Sequence, residues 1–414
     1  MVYHNNLHPE PAVVSRRSCN GLFVSLLFAA LSVMLSDVRA ESDTEPQAYT
    51  MDMVYTADYL SNVRGGIRRE TAYLDNLDLT LSIDTEKAFN ITGGTLFAYG
   101  LYNNNTTYSD VSVGDAQVVS NIEAHGGLRL YEFWWEQQFG RHSFKFGLYD
   151  LNSEFDVVEA AGLFINSSHG MGKDFSQSGA NGPSIFPITS LALRYLYTDD
   201  RHITLQAALL DAVPGDPNHP LDTSLHIGAD EGALLVVEAN YTTADSRFSI
   251  GGWYYTRATA ELIGTGSSRN AGIYAILEHT FIANDNGRRL AGWLRLGYAR
   301  ETINQFDHYI GTGLTGHGFI PARPDDSFGI ALAYAGNSSD YRRAVALSGG
   351  ASDSAEVNIE LTYRAPLTPW LTVQPDLQYI INPGTNPNLA NALSIGIRFE
   401  LSTSALLRVW QGRN

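Results

Sequence analysis

The chain has almost no cysteine. Its one copy, Cys19, precedes the apolar stretch Gly21–Leu35. A lipid-attachment cysteine follows the apolar core of its signal, so Cys19 is not placed for lipidation. Arg16 and Arg17, the apolar stretch and the A-x-A-like Val38-Arg39-Ala40 read as a secretory signal over residues 1–40. Residues after Arg17 fit a twin-arginine signal poorly, so export in the unfolded state is expected. The mature chain then carries no cysteine, which excludes disulfides, thiolate metal sites and cysteine nucleophiles.

Long hydrophobic runs are also missing. Past the signal, no stretch approaches the roughly 18 apolar residues of a membrane-crossing helix. The mean hydropathy of −0.13 would pass for that of a soluble protein. Strands whose every second residue is polar escape such a test. The eleven histidines are scattered, with no H-E-x-x-H spacing, so neither a metal nor any other cofactor is expected. Basic residues are few: 27 Lys and Arg stand against 44 Asp and Glu. Without residues 1–40, which hold three of the former and two of the latter, the totals are 24 and 42. That acidity argues against nucleic-acid binding.

What the chain does have is alternation. Leu77–Asp84 places leucine or isoleucine at 77, 79, 81 and 83 and Asp78, Thr80, Ser82 and Asp84 between them. A strand with this pattern has one apolar and one polar face. Period-two segments recur near 50–60, 73–84, 95–102, 128–139, 143–150, 190–198, 202–211, 232–241, 247–257, 271–281, 290–300, 308–319, 327–335, 355–364, 370–380 and 392–401. Their connections alternate. Short ones fall at Gly140–His142, Asp199–Arg201, Thr242–Ser246, Asn284–Arg289, Pro321–Asp326 and Ala365–Pro369, with a somewhat longer one at Glu86–Gly94. Longer ones fall near 61–72, 103–127, 151–189, 212–231, 258–270, 301–307, 336–354 and 381–391.

An even number of strands of about ten residues, with short turns on one side and longer loops on the other, is the pattern of an outer-membrane barrel. The expected fold is therefore all-β: a transmembrane antiparallel barrel of about 16 strands over residues 50–401. A short segment, 41–49, would precede it and an extension, 402–414, would follow. Leu77, Leu79, Leu81 and Ile83 would face lipid. Aromatics near segment ends (Tyr59, Tyr99, Tyr102, Tyr131, Trp135, Tyr149, Tyr197, Tyr241, Tyr298, Tyr363, Trp370 and Tyr379) suit headgroup girdles.

Sixteen strands leave an aqueous channel. By alternation, Asp78, Glu132, Trp134, Glu136, Arg194, Arg295, Glu360, Arg364, Asp376, Gln378 and Arg398 point into it. The 151–189 loop is the longest and is rich in Phe, Ile and Leu, so it is expected to fold inward and narrow the pore. Its Glu154, Asp156, Asn166, Asp174, Gln177 and Asn181 would line the constriction. Carboxylate, guanidinium and carboxamide groups match vicinal hydroxyls. Trp134, Phe155 and Phe175 could offer stacking faces.

Other patterns carry less. Gly311–Gly316 matches G-x-G-x-x-G, but no βαβ unit surrounds it, and glycines that relieve crowding explain it better. Glu132 with Glu136, or Glu154 with Asp156, share a strand or loop without defining the separation that glycoside hydrolysis needs. No Ser/His pair for an outer-membrane hydrolase stands out, and an enzyme is not expected.

Four stretches resemble the carbohydrate-selective outer-membrane porins of the porin B type: YLDNLDLTLSIDTEK (73–87), RLYEFWWEQQF (129–139), GLYDLNSEFDVVEAAGLFINSSHGMGKDFSQSGANGPSIFP (147–187) and ELTYRAPLTPWLTVQPDLQYIINPGTNP (360–387). The resemblance implies a sixteen-stranded channel for passive diffusion of sugars such as glucose, narrowed by a loop. The expected partners are outer-membrane lipid, mono- or oligosaccharides, the outer-membrane assembly machinery and, as an open point, further copies in a homo-oligomer. The alternative function is a general or cation-preferring porin. The last alternating run ends near Leu401 without the usual terminal aromatic and is followed by STSALLRVWQGRN. No extra N-terminal domain is expected in 41–49.

Overall fold

The computed structural model describes residues 48–199, 201–216, 231–284 and 286–402. The expected signal, 1–40, and all of the expected C-terminal extension except Ser402 lie outside these residues. Sixteen strands form one closed sheet: β1 (Tyr49–Arg64), β2 (Thr71–Asp84), β3 (Gly94–Asn103), β4 (Gly127–Phe139), β5 (His142–Tyr149), β6 (Ser190–Thr198), β7 (Ile203–Asp211), β8 (Ala233–Thr242), β9 (Ser246–Ala260), β10 (Ser267–Ala283), β11 (Arg289–Ala299), β12 (Phe306–His317), β13 (Ser327–Asn337), β14 (Ala355–Thr368), β15 (Leu371–Ile381) and β16 (Ala392–Ser402). Each pairs antiparallel with its neighbours in sequence, and β1 closes on β16 with Tyr55 opposite Leu401. Closure leaves no sheet edge, as a barrel in lipid requires.

The alternation read from the sequence becomes two surfaces. Outward residues such as Phe146 and Ile273 are 60% and 62% exposed in the isolated barrel, where lipid would cover them. Inward neighbours such as Arg194, Glu360 and Gln378 are buried. A register shift between Tyr99 and Gly100 leaves Tyr131 unpaired, between Leu130 and Glu132. This bulge explains why Leu128 and Leu130 face outward and then Phe133 does, three residues on.

Three of the aromatics expected in the girdles are inside instead. Tyr99 donates to Asp78 and meets Tyr131 edge to face, and Tyr149 donates to Glu154. Tyr131 and Tyr149 are buried, because the bulge and the strand parity turn them inward. Tyr59, Tyr241 and Tyr298 are exposed as a girdle requires. Asp84 is the last residue of β2. It caps the helix Thr85–Phe89 by accepting from the Glu86 and Lys87 amides, which tightens the first turn. On the loop side β9 and β10 run on to Ala260 and Ser267, so the loop expected over 258–270 shrinks to 261–266.

The apolar core sits within the barrel. Leu151, Phe155, Val158, Phe164, Met171 and Phe175 of the 150–189 loop pack on the inner-wall residues Trp253, Tyr255, Tyr274 and Trp293. A second cluster joins Tyr108, Val113, Val119 and Ile122 of the 104–126 loop to Leu60, Leu74, Ile380 and Ala392 of the wall. The inward course of this second loop had no clear signature in composition.

Outward Leu277, mid-strand in β10, tests the lipid face. Leu277→Arg is expected to destabilise the barrel by about 2–4 kcal/mol in bilayer folding titrations, while inward Thr80→Asn stays near neutral.

Candidate functional site

An irregular loop inside a barrel must find partners for its peptide groups. Here the inner wall supplies them. Five glutamates accept backbone N–H groups: Glu132 from Asp150 (3.1 Å), Glu238 from Asp156 (2.9 Å), Glu278 from Ala160 (2.8 Å), Glu360 from Ile165 and Asn166 (2.7 and 3.0 Å) and Glu356 from Ala116 and Gln117 (2.8 and 2.9 Å). Wall donors take the carbonyls. Gln206 donates to the Glu154 carbonyl, Gln374 to Leu163, Gln378 to Val119, Tyr309 to Ser168 and Arg247 to Val157. The two loops also bond each other, Asn121 N–H to the Ile165 carbonyl and Ser167 N–H to Val118. Together they line the wall from β4 round to β16 and β1.

Charged side chains fix the longer loop further. Arg295 holds Asp156 at 2.7 Å through Nη2 and also pairs with Asp174, all three being buried. Its guanidinium lies 5.6 and 5.1 Å from the Tyr274 and Tyr309 ring centres. Gly297 makes this possible, since a Cβ there would fall on Asp174. Near the start of the loop, Arg194 pairs with Glu154 (2.7 Å) and Glu136 (2.8 Å), and Lys145 adds a second cation to Glu154 at 2.7 Å. Burial pushes the Glu154 carboxyl up, but Lys145 and Arg194 outweigh it and hold the group below its ordinary range. His169 is pushed down to about 3 by burial between Phe164 and Trp293, so its 3.7 Å approach to Glu360 is not an ion pair.

These contacts reassign much of the expected pore lining. Asp156, Asn166, Asp174, Arg295, Glu360 and Asp376 are buried. They dock the loop or bridge it to the wall, because each meets a loop or wall partner before it can meet solute. Asn166 donates to Gln378, which donates to Asp376. Gln177 exchanges two hydrogen bonds with the Phe306 peptide, and Asn181 donates to the Pro214 carbonyl, so both tie the loop to neighbouring loops or strand ends. Phe155 and Phe175 are buried, the latter stacked 4.9 Å from Trp253, and offer no face to a solute. Trp134 is half-buried, flanked by Phe97 at 4.8 Å from the β3 side and by Lys145 at 4.1 Å from the β5 side. Only its edge is free, and its Nε1 donates to Glu132.

The inner-wall side chains left half-buried include Asp78, Phe97, Tyr99, Trp134, Glu136 and Arg398. Arg398 is held by Asp58 at 2.7 Å and by Asn121 of the shorter loop at 2.8 Å. Arg364 pairs with Glu400 at 3.1 Å, nearer the short-turn end. Among the described residues no cluster of His, Cys, Asp and Glu is arranged to hold a metal ion.

A closed sixteen-strand barrel with an internal loop belt is the architecture of a porin. The chain is similar to porin B of Pseudomonas aeruginosa, 25% identical over 405 residues and covering 86% of this chain and 87% of that protein. Its fold is similar to the high-pH structure of Pseudomonas putida OprB, with a TM-score of 0.78 at 20% identity, covering 91% of this chain and 97% of that one. The outer-membrane channel DcaP of Acinetobacter baumannii is more distant, with a TM-score of 0.51 at 10% identity, covering 86% and 96%. The family model for carbohydrate-selective porins, OprB family, matches residues 68–402, and the chain belongs to that family. It is a channel of the Gram-negative outer membrane.

Removing the Arg295 charge leaves two buried carboxylates unpaired. Arg295→Met is expected to cost about 3–5 kcal/mol of loop docking, read as new proteolytic cleavage within 157–173 and a larger single-channel conductance. The shorter loop carries a pH signature. Burial raises the Glu123 carboxyl to about 7, against the pull of the Ser109 amide. A raised carboxyl stabilises docking fully below its unfolded value near 4.3, and the contribution is lost as pH rises through about 7. Amide exchange over 109–123, corrected for intrinsic rate, should therefore be slower at about pH 5 than at about pH 8, and Glu123→Gln should flatten the difference.

Proposed function

We propose that the barrel passes small neutral sugars, glucose among them, by passive diffusion through the part of the lumen that the two loops leave unfilled. The observation that carries this reading is the division of labour on the inner wall. Most buried wall charges are spent on loop docking, and the groups left toward water are carboxylates, a guanidinium and aromatic edges: Asp78, Tyr99, Trp134, Glu136 and Arg398, with Glu154 and Asn121 contributed by the loops. Planar hydrogen-bonding groups beside ring edges can hold a hydroxyl-rich solute in several orientations. Such binding is weak enough to release, as flux requires.

The reading includes no cofactor and no energy coupling. Residues 1–40 are proposed as the export signal, and insertion by the outer-membrane assembly machinery as the route to the membrane. The last strand runs to Ser402, with Leu401 paired to both Tyr55 and Leu371, so the barrel closes before the tail.

Planar-bilayer conductance of the purified protein should fall as glucose is added, and liposomes should swell in it. Trp134→Ala is expected to weaken that block about two- to tenfold, in line with the loss of an aromatic contact of about 0.5–1.5 kcal/mol. Conductance indifferent to every sugar, together with a cation-selective reversal potential, would instead establish a general cation-preferring porin.

A further inference from the structure

A niche of about 410 Å³ lies inside the barrel, away from the half-buried wall described above. Its polar lining is Glu159, Arg289, Thr315, His317 and Ser327, and Leu163 closes it with an apolar side chain. β11 begins at Arg289, β12 ends at His317 and β13 begins at Ser327, so the niche opens at the short-turn, periplasmic end of the barrel. Its roof is the single helical turn Glu159–Leu163 of the longer loop.

That roof is fixed. The Ala160 amide is held by Glu278 and the Leu163 carbonyl by Gln374. Phe164, the next residue, sits where Gly329 leaves room, since a Cβ on that glycine would lie 2.5 Å from the ring. The side chains facing the niche are less committed. His317 Nδ1 meets Ser327 Oγ at 3.1 Å, and among the described residues nothing pairs with its Nε2. Among the described residues the Arg289 guanidinium makes one hydrogen bond, a 3.3 Å contact to Thr280 Oγ1. Glu159 is exposed and has no partner among the described residues. Nearly every other acid on the inner face near this loop is spent on a backbone amide or an arginine, so an unpaired carboxylate beside an open imidazole and a guanidinium stands out chemically.

We infer that this niche is a second binding station for a small neutral sugar, on the periplasmic side of the loop belt. The carboxylate and the guanidinium are planar partners for adjacent hydroxyls, the imidazole and two hydroxyls supply further donors and acceptors, and Leu163 meets the C–H surface. The volume falls in the range of about 300–1,000 Å³ that small-molecule sites occupy. The inference rests on the carbohydrate reading above. It adds a place where a sugar that has passed the belt is retained before leaving.

A chain without Cys19 has no thiol, so single-cysteine reporters are clean. Ser327→Cys reports on the niche and Asn121→Cys on the region beside Arg398. Both are alkylated with neutral iodoacetamide, with and without glucose, in reconstituted barrels whose heat-modifiable gel mobility shows that they are folded. Glucose is expected to slow both reactions, about tenfold at ten times its dissociation constant. At Ser327→Cys the protection should disappear on adding Glu159→Gln or His317→Ala, with that at Asn121→Cys unchanged. Protection at Asn121→Cys alone, or niche protection indifferent to both variants, overturns the second station and leaves the carbohydrate reading standing. No protection at either position overturns the carbohydrate reading itself.

Discussion

The need of buried peptide groups for hydrogen-bond partners governs this molecule. Two loops lie against the inside of a barrel, where few of their N–H and C=O groups have a strand to pair with. The wall answers with side chains: glutamates for the amides, and glutamine, tyrosine and arginine for the carbonyls. A glutamate carboxylate can accept two adjacent amides at once, as Glu360 and Glu356 do. Once these are satisfied, apolar side chains such as Phe155, Phe164 and Phe175 can pack behind them and make a core where an open barrel would have water.

The same constraint decides which charges are left for solute. A buried ion pair contributes little net stability but is costly to break, so it holds a position more than it strengthens a fold. Arg295 between Asp156 and Asp174 is of that kind. The Glu136–Arg194–Glu154–Lys145 network is its half-exposed counterpart, fixing the start of the loop while keeping carboxylate edges toward the lumen. Position on the wall, and not residue type, separates a docking charge from one that can meet a solute.

Much of the architecture could be read in advance. All sixteen period-two segments coincide with strands, because lipid on one side and water or polar loops on the other impose a period of two on every crossing. Gly311, Gly313 and Gly316 fall within β12, where a Cβ at Gly313 would meet Trp293, in agreement with a role in crowding relief. The inward course of 151–189 was legible in its apolar content. That of 104–126 was not, because its anchors, Glu356, Gln378, Ser394 and Arg398, lie more than 200 residues away in sequence. Tyr131 misled for a local reason: a single unpaired residue reverses the parity on which inward and outward assignments depend.

The sequence by itself determined the barrel, its strand number and the alternation of turns and loops, since each follows from the local period of two and the length of a crossing. Which residues face lipid followed the same period except where a bulge or close packing overrode it, as at Tyr131 and the buried Leu77. Only the tertiary structure decided which inward residues a solute can reach. That depends on which wall side chains the two loops cover, and covering is a contact between residues far apart in the chain. Asp156 and Glu159 are three residues apart and both acidic, yet one is closed between Arg295 and Glu238 and the other opens on an interior niche.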